Sequence, residues 1–225
     1  SPILISMKTA SLSIAITFFL GILAAKLVAD ISREKIKMIL DGILTLPLVL
    51  PPTVAGFFLL YIFGVKRPVG RFFIEYFSVK IAFSWGATVL AAVVISFPLM
   101  YRSARGAFEQ VDQNLVYAAR TLGMSEGRIF WRVVMPLALP GVASGGVLAF
   151  ARGLGEFGAT AMIAGNIAGK TRTLPLAIYS AVAAGDMESA AEYVWIILMI
   201  SFLVVIGMNW FTARERGYAL REAKK

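Results

Sequence analysis

Five long stretches of this chain carry no charged side chain, at 9–25, 42–65, 81–101, 133–151 and 193–213. Each approaches the ~20 residues a helix needs to cross a hydrocarbon layer of ~30 Å. With 59% hydrophobic and only 16% charged residues, and a mean hydropathy of +0.79, a water-soluble domain of this size is excluded. The expected fold is all-α: one polytopic membrane unit over residues 1–225, with no soluble domain and no internal repeat. Its spans are expected at about 8–29, 42–64, 81–101, 137–163 and 193–212. The first is short by charge count, but Lys26 can snorkel to the interface. The fourth is expected to run on past Arg152 and Glu156 to Ile163. No small-residue cleavage site follows a basic region and a short apolar core, so no cleaved signal peptide is expected.

Charge placement sets an orientation. Lys26, Arg33, Lys35 and Lys37 follow the first span, and Arg102, Arg105, Arg120, Arg128 and Arg132 follow the third. Arg214, Arg216, Arg221, Lys224 and Lys225 follow the fifth, making fourteen basic residues on one side. Seven lie on the other: Lys8, Lys66, Arg67, Arg71, Lys80, Lys170 and Arg172. Basic loops stay in the cytoplasm, so the N-terminus is expected outside and the C-terminus inside, in the plasma (inner) membrane. The net charge of +9 then reflects topology and lipid contact rather than nucleic acid, for which there is no soluble basic domain. The charged tail ARERGYALREAKK reads as a lipid-headgroup anchor.

Chemistry is sparse. The sequence has no cysteine and no histidine, which removes disulfides, thiolate or imidazole metal sites and Ser-His-Asp or Cys-His catalysis. No catalytic residue, metal or cofactor is expected, and the chain is not expected to be an enzyme. One decoy needs dismissal: AGNIAGKT at 164–171 approaches the phosphate loop, but Ala164 replaces its first glycine and no strand precedes it.

The informative polar segment is VYAARTLGMSEGRIFWRVVMPLALPG, residues 116–141, within a loop expected at about 102–135. Two short helices are expected there. Phe108, Val111, Leu115, Ala118 and Leu122 recur at helical spacing as one apolar stripe. Gly123 suits a left-handed helix end, Ser125 can cap the next helix, and Pro136 restricts continuation. Ala118 and Ala119 leave a side-chain-poor shoulder. Taken alone, these residues fit either a loop that steadies the bundle or a surface on which another protein docks.

Two intramembrane features stand out. Arg152 and Glu156, four apart, share a helix face near mid-membrane. An unpaired charge there costs about 2.5–3.5 kcal/mol on insertion scales, so either the two neutralise each other or they line a path between subunits. Pro47, Pro51 and Pro52 should kink or interrupt the second span, and Phe97–Pro98 the third to a lesser degree. Gly153, Gly155 and Gly158, and Gly141 with Gly145, suit close helix contact with a neighbour that spacing does not name. Beyond the fourth span, Thr173 can cap a short helix starting near Pro175, and 182–191 reads as loop or surface helix.

The order Ala118, Ala119, Gly123, Val133, Met135, Pro136 resembles the cytoplasmic coupling loop of ABC importer permeases, with Tyr117 where that family usually has glutamate. Four further segments resemble the molybdate permease branch of those importers: PLVLPPTVAGFFLL at 47–60, SFPLMYRSARGAFEQVD at 96–112, LPGVASGGVLAFARGLGEFGAT at 139–160 and GNIAGKTRTLPLAIYS at 165–180. The resemblance implies a type I importer permease fold of five spans, and translocation of an oxyanion by alternating access, molybdate or tungstate ahead of sulfate. It implies a homodimer of this chain, two cytoplasmic ATPase subunits that hydrolyse ATP, and an external solute-binding protein. It assigns ATPase coupling to Tyr117, Ala118, Ala119, Arg120, Thr121, Leu122 and Gly123, with Val133, Met135 and Pro136 supporting the loop. Arg152 and Glu156 would lie near the path. The rivals are an ion-coupled carrier using Arg152 and Glu156 without ATP, and, with little chemistry behind it, a membrane enzyme.

Overall fold

The computed structural model describes the backbone of residues 1–222 and the side chains of 1–207. Among these, every regular element is helical: α1 Pro2–Ala29, α2 Glu34–Val49, α3 Pro52–Phe63, α4 Pro68–Phe77, α5 Trp85–Glu109, α6 Gln113–Thr121, α7 Glu126–Ile129, α8 Met135–Leu154, α9 Gly158–Ile163, α10 Leu174–Ala183 and α11 Met187–Glu222. A π-wound stretch, Phe130–Val134, joins α7 to α8. Four runs are long and apolar enough to cross a membrane among the described residues: Pro2–Ala29, Trp85–Glu109, Glu126–Leu154 and Met187–Gly207. A fifth exists only as α2 and α3 together, bent by 109°. The headgroup-anchor reading of the 213–225 tail falls on side chains outside those described.

The span expected at 42–64 is thus two helices, and its prolines explain why. A residue before proline is pushed to extended backbone, and Leu50 is extended, with ψ of 141°. Pro51 follows at ψ 134°, and Pro52 opens α3, where its missing N–H costs nothing. Pro47 lies inside α2 without ending it, and Pro98 lies inside α5 likewise.

The span expected at 137–163 is also corrected: it starts earlier and breaks. Pro136 does not stop a helix, because it sits in the first turn of α8. The turn before it widens, the Met135 N–H reaching back to the Phe130 carbonyl, so the ladder passes the proline that cannot donate. The same helix ends at Leu154, with Gly155 as its cap. Gly153, inside its last turn, weakens the helix by about 1 kcal/mol relative to alanine. Glu156 then turns its carboxylate onto the Ala159 N–H of α9, at 2.8 Å.

These two breaks meet. Gly56 of α3 lies so near α9 that a Cβ there would fall 2.6 Å from the Ala159 Cα. A Cβ on Gly158 would fall 3.0 Å from the Pro52 Cβ. Around them Ala55, Leu59, Ala87, Ala91, Ile95, Ala159 and Ile163 form one buried cluster.

The remaining core is α1, α5 and α8. Lipid supplies no hydrophobic drive between spans, so small and hydroxylated side chains make the contact. Thr9 and Thr88 hydroxyls bond at 2.9 Å, Thr17 and Ser96 at 3.2 Å, and Trp85 Nε1 donates to Thr9 at 3.1 Å. Gly141 and Gly145 face α5: a Cβ on the first would fall 2.7 Å from Ala107 Cβ, and one on the second would overlap Ser103. For this pair the neighbour that spacing left open is therefore α5, and for Gly158 it is α3. Thr173 stands at the N-cap of α10 but caps nothing with its side chain: Pro175, at the second position, has no N–H to give it, and the Leu174 N–H donates to Ser6 Oγ of α1 at 2.7 Å.

Candidate functional site

The polar segment folds as an elbow at one end of the α1–α5–α8 core. Asp112 opens α6 by accepting the Asn114 N–H at 2.9 Å. Gly123 ends it at φ 76°, a conformation that costs an L-residue roughly 1–2 kcal/mol. Its N–H donates to the Arg120 carbonyl at 2.9 Å and that of Met124 to the Ala119 carbonyl at 3.1 Å, the paired bonds of a Schellman end. Ser125 occupies the N-cap of α7 without a side-chain bond. Instead Arg120 reaches across the turn and grips Glu126 with both arms, Nε to Oε1 at 2.7 Å and Nη2 to Oε2 at 3.0 Å.

That hydrogen bonding, with the guanidinium charge behind it, holds the Glu126 carboxyl below the usual carboxylate range. A carboxyl lowered in the folded state stabilises the elbow above its unfolded pKa. The contribution is lost as pH falls through the lowered folded value. The protection factors of the α6–α7 turn amides should therefore fall as pH drops below the ordinary carboxylate range, and Glu126→Gln should flatten that dependence.

The apolar stripe expected at Phe108, Val111, Leu115, Ala118 and Leu122 divides, and this is a correction. Phe108 belongs to α5, and it and Val111 are buried. The buried residues of α6 are Val116 and Ala119, seated with Ile129 and Phe130 against Ile22, Ala25 and Val28 of α1 and Ala138 and Val142 of α8. Leu115, Ala118 and Leu122 point away from the chain, Leu115 at 47% and Leu122 at 81% exposure. The helix starts at Gln113, after the turn at Val111, so the periodicity carried over from α5 loses phase. Tyr117 and Thr121 are exposed too, Thr121 Oγ1 donating to the Tyr117 carbonyl at 3.1 Å. Val133 and Met135 pack on the core beneath, and Pro136 is exposed. A groove of about 720 Å³ opens beside Leu115, lined by Arg102, Gly106, Gln110, Asp112, Leu137 and Gly141 among others.

One cluster at this end had no signal in the sequence. Arg105 of α5 pairs with Asp41 of α2 and with Glu109, the latter at 2.9 Å. Tyr101 donates its hydroxyl to Asp41 at 2.8 Å, and Lys37 approaches Glu109 at 3.5 Å. Arg105 and Lys37 entered the sequence argument only as cytoplasmic charges; no spacing rule joins positions 41 and 105.

Arg152 and Glu156 sit at the α8–α9 break, not on one continuous helix as expected. They still pair, Arg152 Nη1 to Glu156 Oε2 at 2.8 Å. The Glu156 side chain is only 1% exposed, and its second oxygen holds the Ala159 N–H. The pair thus neutralises itself and fastens the start of α9. The phosphate-loop decoy is a closed turn: Thr171 Oγ1 accepts the Ile167 N–H at 3.0 Å and donates to the Gly165 carbonyl at 3.2 Å. The N–H groups of Lys170, Thr171 and Arg172 all turn onto the Ile167 carbonyl. Among the described residues no cluster of carboxylates could hold a metal ion.

Bent spans around a small-residue core, with a helical elbow seated on one end, define the importer-permease class of membrane proteins. The same fold occurs in an inward-facing structure of the MetNI methionine ABC transporter, at TM-score 0.72 and 15% identity, over 93% of this chain and 92% of that one. It also occurs in a bacterial ABC transporter involved in import of the acidic polysaccharide alginate, at TM-score 0.72 and 14% identity, over 94% and 78%. The chain belongs to the family of binding-protein-dependent transport system inner membrane components, whose model matches residues 17–217. Among its relatives, the molybdenum transport system permease protein ModB of Escherichia coli K12 is 45% identical over 95% of this chain and 94% of its own length. The putative molybdenum permease YvgM of Bacillus subtilis is 42% identical over 91% and 90%. The probable sulfate permease cysT of Chlorokybus atmophyticus is 31% identical over 97% and 76%.

Proposed function

We propose that this chain is the membrane-spanning subunit of an ATP-driven importer that carries molybdate into the cytoplasm. The step from sulfate-type to molybdate-type cargo rests on likeness, 45% identity to the molybdenum permease against 31% to the sulfate permease. The observation that carries the mechanism is the outward face of α6. In a segment that charge places in the cytoplasm, Leu115, Tyr117 and Leu122 are all exposed on or beside a helix whose other side is firmly rooted. An apolar face on a rooted element suits a groove on a partner.

That partner is a cytoplasmic ATPase subunit, two of them serving two copies of this chain, with hydrolysis done there and not here. Tyr117 to Gly123 enter the ATPase groove; Val133, Met135 and Pro136 carry the load into α8. When ATP draws the ATPases together, each elbow moves. The α1–α5–α8 ends move with it, because Val116, Ala119 and Phe130 are packed into them. The touching breaks of α2–α3 and α8–α9 are where the outer half can swing. ATP drives the change only by binding one arrangement more tightly than the other. Arg152, neutralised by Glu156, leaves a passage that does not trap a divalent oxyanion, so selection falls to an external binding protein. The N-terminus is outside and the C-terminus cytoplasmic.

The test is uptake of molybdate into vesicles holding this chain. Accumulation should require the ATPase subunits, ATP and the external protein together, with native mass giving two chains to two ATPases. Uptake by the chain alone on an ion gradient would instead establish the carrier.

A further inference from the structure

We propose that α4, Pro68–Phe77, is an interfacial helix that binds the headgroup layer of the bilayer through anionic phospholipid. No feature of the transport mechanism uses it, and no uncharged run announced it. Val69, Phe72, Phe73, Tyr76 and Phe77 recur at helical spacing on one face, with Arg71 and Glu75 opposite, paired at 3.6 Å. A helix with one aromatic face and one charged face lies in the plane of a membrane surface.

The apolar face is uncovered by this chain, Tyr76 at 73% and Phe77 at 62% exposure. It continues a second apolar surface: Phe57, Phe58 and Tyr61 are half exposed on the adjoining α3, the second arm of the bent pair. The two helices are locked at a fixed angle. A Cβ on Gly70 would fall 2.6 Å from the Phe63 carbonyl, and the Phe63 and Phe73 rings lie 6.5 Å apart. With α3 in the membrane and only four residues between its end and Pro68, α4 cannot leave the interface.

Charge selects the lipid. Lys66, Arg67 and Lys80 flank α4 and Arg71 lies within it, against a single acid, Glu75. The Arg67 guanidinium is stacked 3.9 Å over the Tyr61 ring. Both border a cavity of about 310 Å³ with Phe57, Lys66 and Phe83. An apolar floor under a basic rim suits an acyl chain below a phosphate, and basic side chains draw anionic headgroups to them.

The chain has no cysteine, so Tyr76→Cys and Glu75→Cys each give a single labelling site. The full chain carrying an environment-sensitive fluorophore is reconstituted in phosphatidylcholine vesicles containing phosphatidylglycerol. At position 76, nitroxide placed near the lipid headgroup should quench severalfold more than at 75, and aqueous iodide severalfold less. Nitroxide-labelled phosphatidylglycerol should quench position 76 more than labelled phosphatidylcholine, and Lys66→Gln with Arg67→Gln should erase that difference. Equal iodide access at the two positions overturns the interfacial helix. Protection of position 76 only after the external binding protein is added assigns the face to a protein. Equal quenching by both lipids overturns the anionic preference. No ATPase is present, so failure here leaves the transport reading standing.

Discussion

Replacing Leu122 by aspartate is expected to leave the chain folded and to stop ATP-driven uptake. The side chain is 81% exposed, so its loss removes almost no contact within the chain, and surface changes of this kind stay within roughly 0.5 kcal/mol. If Leu122 is buried in the ATPase groove, the cost falls on assembly. Burying a leucine contributes about 1.5–3 kcal/mol, and association changes tenfold for every ~1.4 kcal/mol. Desolvating the new carboxylate adds to that loss. Co-purification with the ATPase should therefore drop more than tenfold while the thermal unfolding midpoint holds. Leu115→Asp should act in the same direction. Gly123 is a poorer probe: at φ 76° a bulky residue would strain the elbow itself and confuse folding with coupling. Normal uptake by Leu122→Asp would remove the docking surface from consideration.

Glu156→Ala should be the most damaging single change inside the membrane. It strips Arg152 of its partner and the Ala159 N–H of its acceptor at once. Breaking a buried ion pair by removing one member costs about 3–5 kcal/mol; Arg152, at 32% side-chain exposure, places the expected loss near the lower end. The protein should fail to accumulate in the membrane or lose much of its thermal stability. Removing both charges together, as Arg152→Met with Glu156→Met, should restore much of the loss, since neither charge is then stranded. If the double change is as harmful as the sum of the singles, the pair is not a neutralising unit. If the double variant is stable but does not transport, the pair serves the path as well as the fold.

Much of the architecture was legible in one dimension. Hydrocarbon demands long uncharged helices, and among the described residues four of the five uncharged stretches fall on helices long enough to cross, the fifth on the bent pair α2–α3. Proline chemistry foretold the break at Leu50–Pro51, because the residue before a proline is driven extended wherever it occurs. Gly123 marked the end of α6 for the same kind of local reason. α4 escaped because a ten-residue helix interrupted by Arg71 and Glu75 never looks like a span. The α8 break escaped because its cause is partly remote: Glu156 leaves the helix to hold Arg152 and Ala159 while Gly158 beds against Pro52, a hundred residues earlier in the chain.

What the sequence determined by itself were the properties set by local chemistry and the bilayer: helices throughout, the break at the prolines and the turn at Gly123. What only the tertiary structure decided was which faces meet. Periodicity placed Leu115, Ala118 and Leu122 on a stripe with Phe108, yet packing buried Val116 and Ala119 and turned the stripe outward. A turn between two helices resets rotational phase by an amount no spacing rule carries. The contacts across it, Asp41 with Arg105 and Pro52 with Gly158, exist only once distant helices have found one another.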